Sequence, residues 1–244
     1  MKKSYLIFGS TSGLGLDFTK KILIKKKDYI YCCGRKFEHL DSFVKKNKLE
    51  NFYKKINIDF VKRDQFFKFN IINKIDFIVN YAGLVKNNLI KFYDNKLFYQ
   101  LIMINLFSPI NYINFLYQKN KINNNATIVL LSSILGNKKV RIGSLGYAVG
   151  KSGIDAAVKV MALEMAEKNI RVNAISPGMV STNFIEQIKE ISLNDIKKDM
   201  KNYPLGNRYA KISEVNSLVN FLLSKKSSFI TGQNIIIDGG LCLK

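Results

Sequence analysis

Tyr147 and Lys151 lie four positions apart in Tyr147-Ala148-Val149-Gly150-Lys151, a spacing that puts both side chains on one face if the segment is helical. A phenol is a weak acid with a pKa of about 10, and a neighbouring cation favours its ionised form and lowers that value. A tyrosine moved toward neutrality can donate its proton to a carbonyl oxygen that gains charge during reduction. Lysine suits the second position because its charge sits on a long flexible stem, which can also reach a ribose hydroxyl. Ser133, in Leu131-Ser132-Ser133-Ile134-Leu135-Gly136, adds a hydroxyl able to orient the same carbonyl. A Tyr-x-x-x-Lys pair arises often by chance, so its meaning depends on the elements around it.

Those elements alternate. Short apolar runs at Ser4–Phe8, Tyr29–Cys33, Phe52–Ile58, Ile75–Asn80, Thr127–Leu131, Val172–Ile175 and Asn234–Ile237 read as strands. Several are apolar on both faces, as buried parallel strands are. Helical patterns fill the gaps at Leu14–Lys26, Glu38–Lys46, Lys96–Tyr117, Gly153–Lys168 and Ser213–Leu223, the last with Ser213 as its expected cap. Strands alternating with helices predict an α/β fold, a doubly wound Rossmann-type parallel sheet of about seven strands. With three prolines and no linker-like stretch, residues 1–244 read as a single domain. The lysine-rich 181–204 segment is expected to be a mobile cover over the substrate.

The first strand runs into Gly9-Ser10-Thr11-Ser12-Gly13-Leu14-Gly15 and then a helix. Glycines let backbone approach a pyrophosphate closely, and the helix N-terminus offers free N–H groups to the anion. Gly9, Ser10, Ser12, Gly13, Leu14 and Gly15 are therefore candidate cofactor contacts. About twenty residues on, an acidic residue at the end of the second strand would bind the ribose hydroxyls of NAD. Gly34-Arg35 stands there instead. With no carboxylate to repel a 2′-phosphate and a guanidinium to pair with it, NADP(H) is expected, NAD(H) being the other option. After the sixth strand, Pro177, Gly178 and Val180 form a turn that can lie along a nicotinamide ring.

Gly9-x-x-x-Gly13-Leu14-Gly15, Asn80-Tyr81-Ala82-Gly83, Asn105, Ser133, Tyr147/Lys151, Pro177-Gly178 and Ile230-Thr231-Gly232-Gln233…Asp238-Gly239-Gly240 occur in an order that resembles the short-chain dehydrogenase/reductase family across essentially the whole chain. The resemblance implies Tyr147 as acid/base, Lys151 on the nicotinamide ribose, Ser133 positioning the carbonyl and Asn105 in a water-linked proton relay. It further implies that Asp59 contacts adenine, that Asn80, Ala82 and Gly83 lie beside the cofactor, and that Thr182 holds the carboxamide. Three positions depart from the family pattern: Phe8 stands in place of Thr, Tyr81 in place of a second Asn, and one extra residue separates Ser133 from Tyr147. The last makes Ser132 a fallback for Ser133.

Within the family, Asn80–Ile90, Tyr203-Pro204-Leu205-Gly206 and the Thr231–Gly240 ending are similar to the 3-oxoacyl-[acyl-carrier-protein] reductases. The resemblance implies a carbonyl substrate carried on acyl carrier protein. A small sugar-derived or secondary-metabolite carbonyl is the alternative. Lys121 and Lys168 are placed as docking cations for the acidic carrier. The resemblance also implies a homotetramer, assembled through Lys96–Tyr117, Gly153–Lys168 and the last strand, with a dimer as the alternative.

Bulk properties limit other classes. The net charge of +21 would suit nucleic acid or an anionic membrane, but the lysines are dispersed, and Lys, Asn and Ile are abundant throughout. The aromatics fall inside strand and helix patterns rather than between basic residues, so neither nucleic-acid nor membrane binding is expected. A dinucleotide-binding protein without catalysis is a further class, against which the Tyr147/Lys151 pair argues. Three cysteines without C-x-x-C spacing and one histidine, His39, argue against a disulfide framework, a metal site and a Ser-His-Asp hydrolase. No signal-peptide pattern or long apolar run is seen, and a cytoplasmic location is expected.

Overall fold

The computed structural model describes residues 2–62, 71–182 and 192–244. In chain order the elements are β1 (Ser4–Phe8), α1 (Gly13–Leu23), β2 (Tyr29–Gly34), α2 (Glu38–Asn47), β3 (Tyr53–Asn57) and β4 (Ile75–Asn80). Then come α3 (Asn95–Ile102), a π-helical turn (Met103–Phe107), α4 (Ser108–Gln118), β5 (Ile122–Leu131), α5 (Ile134–Asn137), α6 (Leu145–Glu164) and β6 (Arg171–Pro177). The chain continues through β7 (Val180–Ser181), α7 (Leu193–Met200), β8 (Ala210–Lys211), α8 (Ile212–Leu223) and β9 (Asn234–Ile237).

Seven strands form one parallel sheet in the order β3-β2-β1-β4-β5-β6-β9. Alternation along each strand feeds two cores, which explains why the strands are apolar on both faces. Leu6, Phe8, Ile78, Ile128, Leu130, Val172 and Ala174 pack with Tyr112 and Ile113 of α4 and Ile154 and Val158 of α6. Ile7, Ile30, Val79, Val129 and Ile175 face the other way, onto Phe18 of α1, Leu40 of α2 and Val215 and Val219 of α8. Phe8 is one such core residue, its ring 5.3 Å from that of Tyr112 and 5.7 Å from that of Phe60.

The strand order reverses between β1 and β4, so the connections leaving these neighbours depart in opposite directions and open a crevice at their C-terminal ends. The two loops meet closely. A Cβ on Gly9 (φ +71°) would stand 2.7 Å from the Ala82 nitrogen, and one on Gly15 would run into the Gly9 carbonyl. Only glycine combines that backbone angle with that proximity.

Several elements differ from the sequence expectation. The single helix expected over Lys96–Tyr117 is split by the π turn, where Asn105 prefers bonds other than the helical ladder. β5 starts at Ile122, and its register to β4 shifts between Ile75 and Phe77. The helix expected from Gly153 begins at Leu145, because Gly146, Gly150 and Gly153 are tolerated where it packs against Phe98, Leu101, Asn105 and Leu106. The cap of α8 is Lys211, not Ser213: the Glu214 carboxylate accepts the Lys211 backbone N–H at 2.7 Å. Of the 181–204 cover, residues 183–191 lie outside the described residues, and Leu193–Met200 forms α7. No helix among the described residues is long and apolar enough to cross a membrane.

Candidate active site

Each strand on the crevice side delivers a candidate residue at its C-terminal end. Gly9 follows β1, Arg35 follows β2, Asp59 lies two residues past β3, Asn80 ends β4, Ser133 lies two residues past β5, and Pro177 ends β6. Asn105 comes from the π turn, and Tyr147 and Lys151 come from the first two turns of α6.

The catalytic candidates converge. Lys151 is 1% exposed. Its Nζ donates to the Leu131 carbonyl at 2.6 Å and lies 5.7 Å from the centre of the Tyr147 ring. A Cβ on Gly83 would stand 3.6 Å from that Nζ and 3.1 Å from Asn105 Oδ1. The Asn105 amide is occupied by main chain: Nδ2 donates to Leu84 O at 2.8 Å and Leu101 O at 3.0 Å, and Oδ1 accepts Leu84 N–H at 3.1 Å. The side chain therefore pins the loop after β4 to the π turn, and a relay through Asn105 cannot rest on a free side-chain donor. π turns of this kind are frequent at functional sites.

The two serines have distinct tasks. Ser132 is buried and its hydroxyl donates to the Lys151 carbonyl at 3.1 Å, which ties β5 to α6. Ser133 caps α5, accepting Leu135 N–H at 3.2 Å, and its hydroxyl reaches the Tyr147 phenol. Ser133, not Ser132, is the hydroxyl that faces the pair.

Electrostatics correct one expectation. Burial pushes the Tyr147 phenol up from its ordinary value, with Ser133 opposing that rise. Burial likewise lowers Lys151 to about 8, opposed by Asp155. The ammonium addresses the ring and the Leu131 carbonyl, so among the chain's own groups desolvation outweighs its pull on the phenol. Asp155, one helical turn beyond Lys151, is a participant that the sequence reading missed, although the i, i+4 spacing was visible. Asn137 Nδ2 and Asn234 Nδ2 donate to its carboxylate at 2.6 and 2.7 Å, joining α5 and β9 to α6.

The residues around the crevice fit a dinucleotide. Ser12 precedes α1 without a side-chain capping bond, and no acidic residue occupies the first turn, so the N–H groups at Gly13–Gly15 remain for an anion. Ser10 is buried, its hydroxyl donating to Cys33 O at 3.2 Å, and so shapes the turn. Arg35 is exposed and forms no hydrogen bond or ion pair with described residues. Asn80 Oδ1 accepts Ala82 N–H at 3.1 Å while its buried Nδ2 has no partner among the described residues, an unusual cost for a buried donor. Asp59 accepts Val61 N–H at 3.1 Å. The Pro177–Val180 turn is fixed by Gly178 N–H on Ile237 O at 3.0 Å and by the Tyr203 hydroxyl, which accepts Met179 N–H at 3.0 Å. Thr182 is part-buried at the last described position before residue 192. Among the described residues, no group of three or more His, Cys, Asp or Glu is placed to hold a metal.

Comparison with known proteins extends this picture. A family model described as Enoyl-(Acyl carrier protein) reductase matches residues 68–242. The chain is 32% identical over 250 residues to the 3-oxoacyl-[acyl-carrier-protein] reductase FabG of Thermotoga maritima, covering 99% of this chain and 98% of that protein. It is 31% identical over 258 residues to carbonyl reductase family member 4 of Xenopus laevis, covering 100% and 99%. Among solved structures, a short chain dehydrogenase family protein of Francisella tularensis superposes with a TM-score of 0.86 at 27% identity, covering 100% of both chains.

The buried ammonium has a measurable signature. Unfolded Lys151 holds its proton to about pH 10.5, whereas the folded group releases it near 8, so between these values the unfolded chain binds more protons and stability rises with pH. Relative to Lys151→Met, the wild-type protein gains about 3 kcal/mol across that window, measured by urea denaturation from pH 7.5 to 10.5. A flat difference would mean that the ammonium is solvated.

Proposed function

The chain belongs to the short-chain dehydrogenase/reductase family and is an NAD(P)-dependent oxidoreductase acting on CH–OH and C=O groups; within that class we propose that it uses NADP(H) to reduce the 3-oxo group of an acyl chain carried on acyl carrier protein. The observation that carries the reaction type is the convergence of Ser133, Tyr147 and Lys151, with Lys151 Nζ beside Gly83 in the loop that packs on the glycine turn. The substrate assignment leans on the near-complete overlap with the Thermotoga maritima reductase. The overlap with the Xenopus laevis carbonyl reductase supports the second reading, a small free carbonyl.

In this reading, reduced nicotinamide supplies the hydride when bound. The chain's own groups manage the oxygen. Ser133 hydrogen-bonds and orients the carbonyl. Tyr147, kept protonated at neutral pH by its burial, donates its proton as the oxygen gains negative charge, so that C=O becomes CH–OH. Lys151, beside the ring, stabilises the phenolate left behind and holds the ribose; its lowered pKa makes it a proton donor to that phenolate. Gly9, Gly13, Leu14 and Gly15 cradle the diphosphate, Pro177, Gly178, Val180 and Thr182 flank the nicotinamide, and Asn80, Ala82, Gly83 and Asp59 line the remainder.

Lys121 and Lys168 do not enter this proposal. Lys121 precedes β5 and Lys168 precedes β6, at the edge of the sheet opposite the catalytic groups. Lys168 packs over the Tyr117 ring at 4.4 Å. Self-association does belong to it: Leu145, Val149, Val160 and Leu163 are exposed on α6, with Phe107 on the π turn and Phe229 before β9. Apolar faces of this kind mark interfaces, and a second copy presenting the same helix would cover them. Sedimentation equilibrium is expected to give a dimer or tetramer, and Leu163→Glu to shift it toward monomer; a monomeric wild-type protein would remove this part of the reading.

NADPH oxidation followed against acetoacetyl thioesters, simple ketones and sugars tests the substrate. Turnover of the thioesters is expected to lead, and Tyr147→Phe to lower kcat/KM by at least about 10²-fold; preference for free ketones would favour the second reading. For the cofactor, Arg35→Ala is expected to raise KM for NADPH about tenfold, from loss of a charge-assisted pair, while leaving that for NADH within twofold. An NADH preference in the wild-type enzyme would overturn the NADP(H) assignment.

A further inference from the structure

Tyr81, the residue at which Asn80-Tyr81-Ala82-Gly83 departs from the family pattern, reaches well beyond its own loop. Its ring lies 5.5 Å from that of Phe18 on α1, and its Cβ would be 3.2 Å from a Cβ placed on Gly15. Burial keeps its phenol protonated, and the hydroxyl donates to Asn216 Oδ1 at 2.8 Å. Asn216, on α8, is 1% exposed. Its Nδ2 donates to the Leu14 carbonyl at 3.2 Å and to Asp17 Oδ2 at 2.9 Å; Asp17 is also paired with Lys21 at 2.8 Å.

One buried amide thus joins three elements: the loop after β4, the first turns of α1, and α8. Of the two atoms it holds on α1, the Leu14 carbonyl belongs to the turn whose free N–H groups face the crevice, and Asp17 Oδ2 lies one turn further on. Side-chain capping does not fix that turn, and an N–H group aimed at an anion loses strength steeply when its angle is wrong. A shorter side chain at position 81 would not bridge from the β4 loop to α8. We propose that Tyr81 and Asn216 are positioning residues that set the aim of the α1 N-terminus on the cofactor diphosphate. The proposal rests on dinucleotide binding by this family and adds to it a specific source of affinity outside the glycine turn. It predicts loss of cofactor binding without loss of the chemical step, since the side-chain hydrogen bonds of the two residues run to each other and to α1 rather than to Tyr147 or Lys151.

Tyr81→Phe retains the ring on Phe18 and removes only the hydroxyl. Binding of NADPH and of NADH is titrated by their fluorescence, and steady-state constants are measured with the better of the two. The expected result is a rise of about tenfold in both Kd and cofactor KM, with kcat at saturation within twofold of wild type. Asn216→Leu is expected to give a similar rise, and the double variant one no larger than the greater single effect, because the two side chains act as a unit. An unchanged Kd, a fall in kcat equal to the rise in KM, or additive effects in the double variant would each overturn the proposal. Because binding is read without turnover, a wild-type protein that binds dinucleotide yet reduces no carbonyl would count against the function proposed above and not against this pair.

Discussion

A lysine ammonium held out of water is costly unless its surroundings compensate, and Lys151 has few compensating groups. The Leu131 carbonyl accepts one hydrogen bond, the Tyr147 ring offers its face, and Asp155 contributes charge from one turn away. Each of these depends on a different part of the fold. Leu131 requires β5 to end there, Tyr147 requires α6 to begin two residues earlier at Leu145, and Asp155 requires Asn137 and Asn234 to hold its carboxylate in place. The helix is seated by Ser132 on the Lys151 carbonyl. Packing of β5, α5, α6 and β9 is thereby coupled to the protonation state of one amine.

That coupling changes the view of how the tyrosine works. Attraction between a phenolate and an ammonium is a long-range effect, whereas desolvation acts on each group separately, and here both groups are driven toward their neutral forms. A protonated phenol next to an amine that releases its proton near pH 8 is suited to giving a proton to a carbonyl oxygen and recovering it locally. In the proposed reaction Ser133 would act from the other side, its hydroxyl stabilising negative charge as it develops.

The same economy governs the crevice. The reversal of strand order between β1 and β4 brings two loops into such close contact that Gly9 and Gly15 admit no side chain. Among the described residues, Asn80 leaves a buried donor without a partner there, and Arg35 stands exposed without an ion pair. A buried donor without a partner is a cost that a bound ligand would relieve, and an exposed guanidinium at the end of β2 would meet a phosphate there without first breaking a protein contact.

Local chemistry in the sequence determined much of this. Runs apolar on both faces specify buried parallel strands because no solvent-facing side remains, and the glycine turn, the Tyr147–Lys151 spacing and the order of motifs identified the family and its reaction class. Contacts between distant residues were not legible. Tyr81 meets Asn216 across 135 positions, Asp155 meets Asn234 across 79, and neither pairing has a periodicity that betrays it. The choice between Ser132 and Ser133 was likewise a matter of which way a strand end turns. The direction of the pKa shifts, too, was settled only by the tertiary structure, because desolvation depends on everything packed around a group and not on its neighbours in the chain.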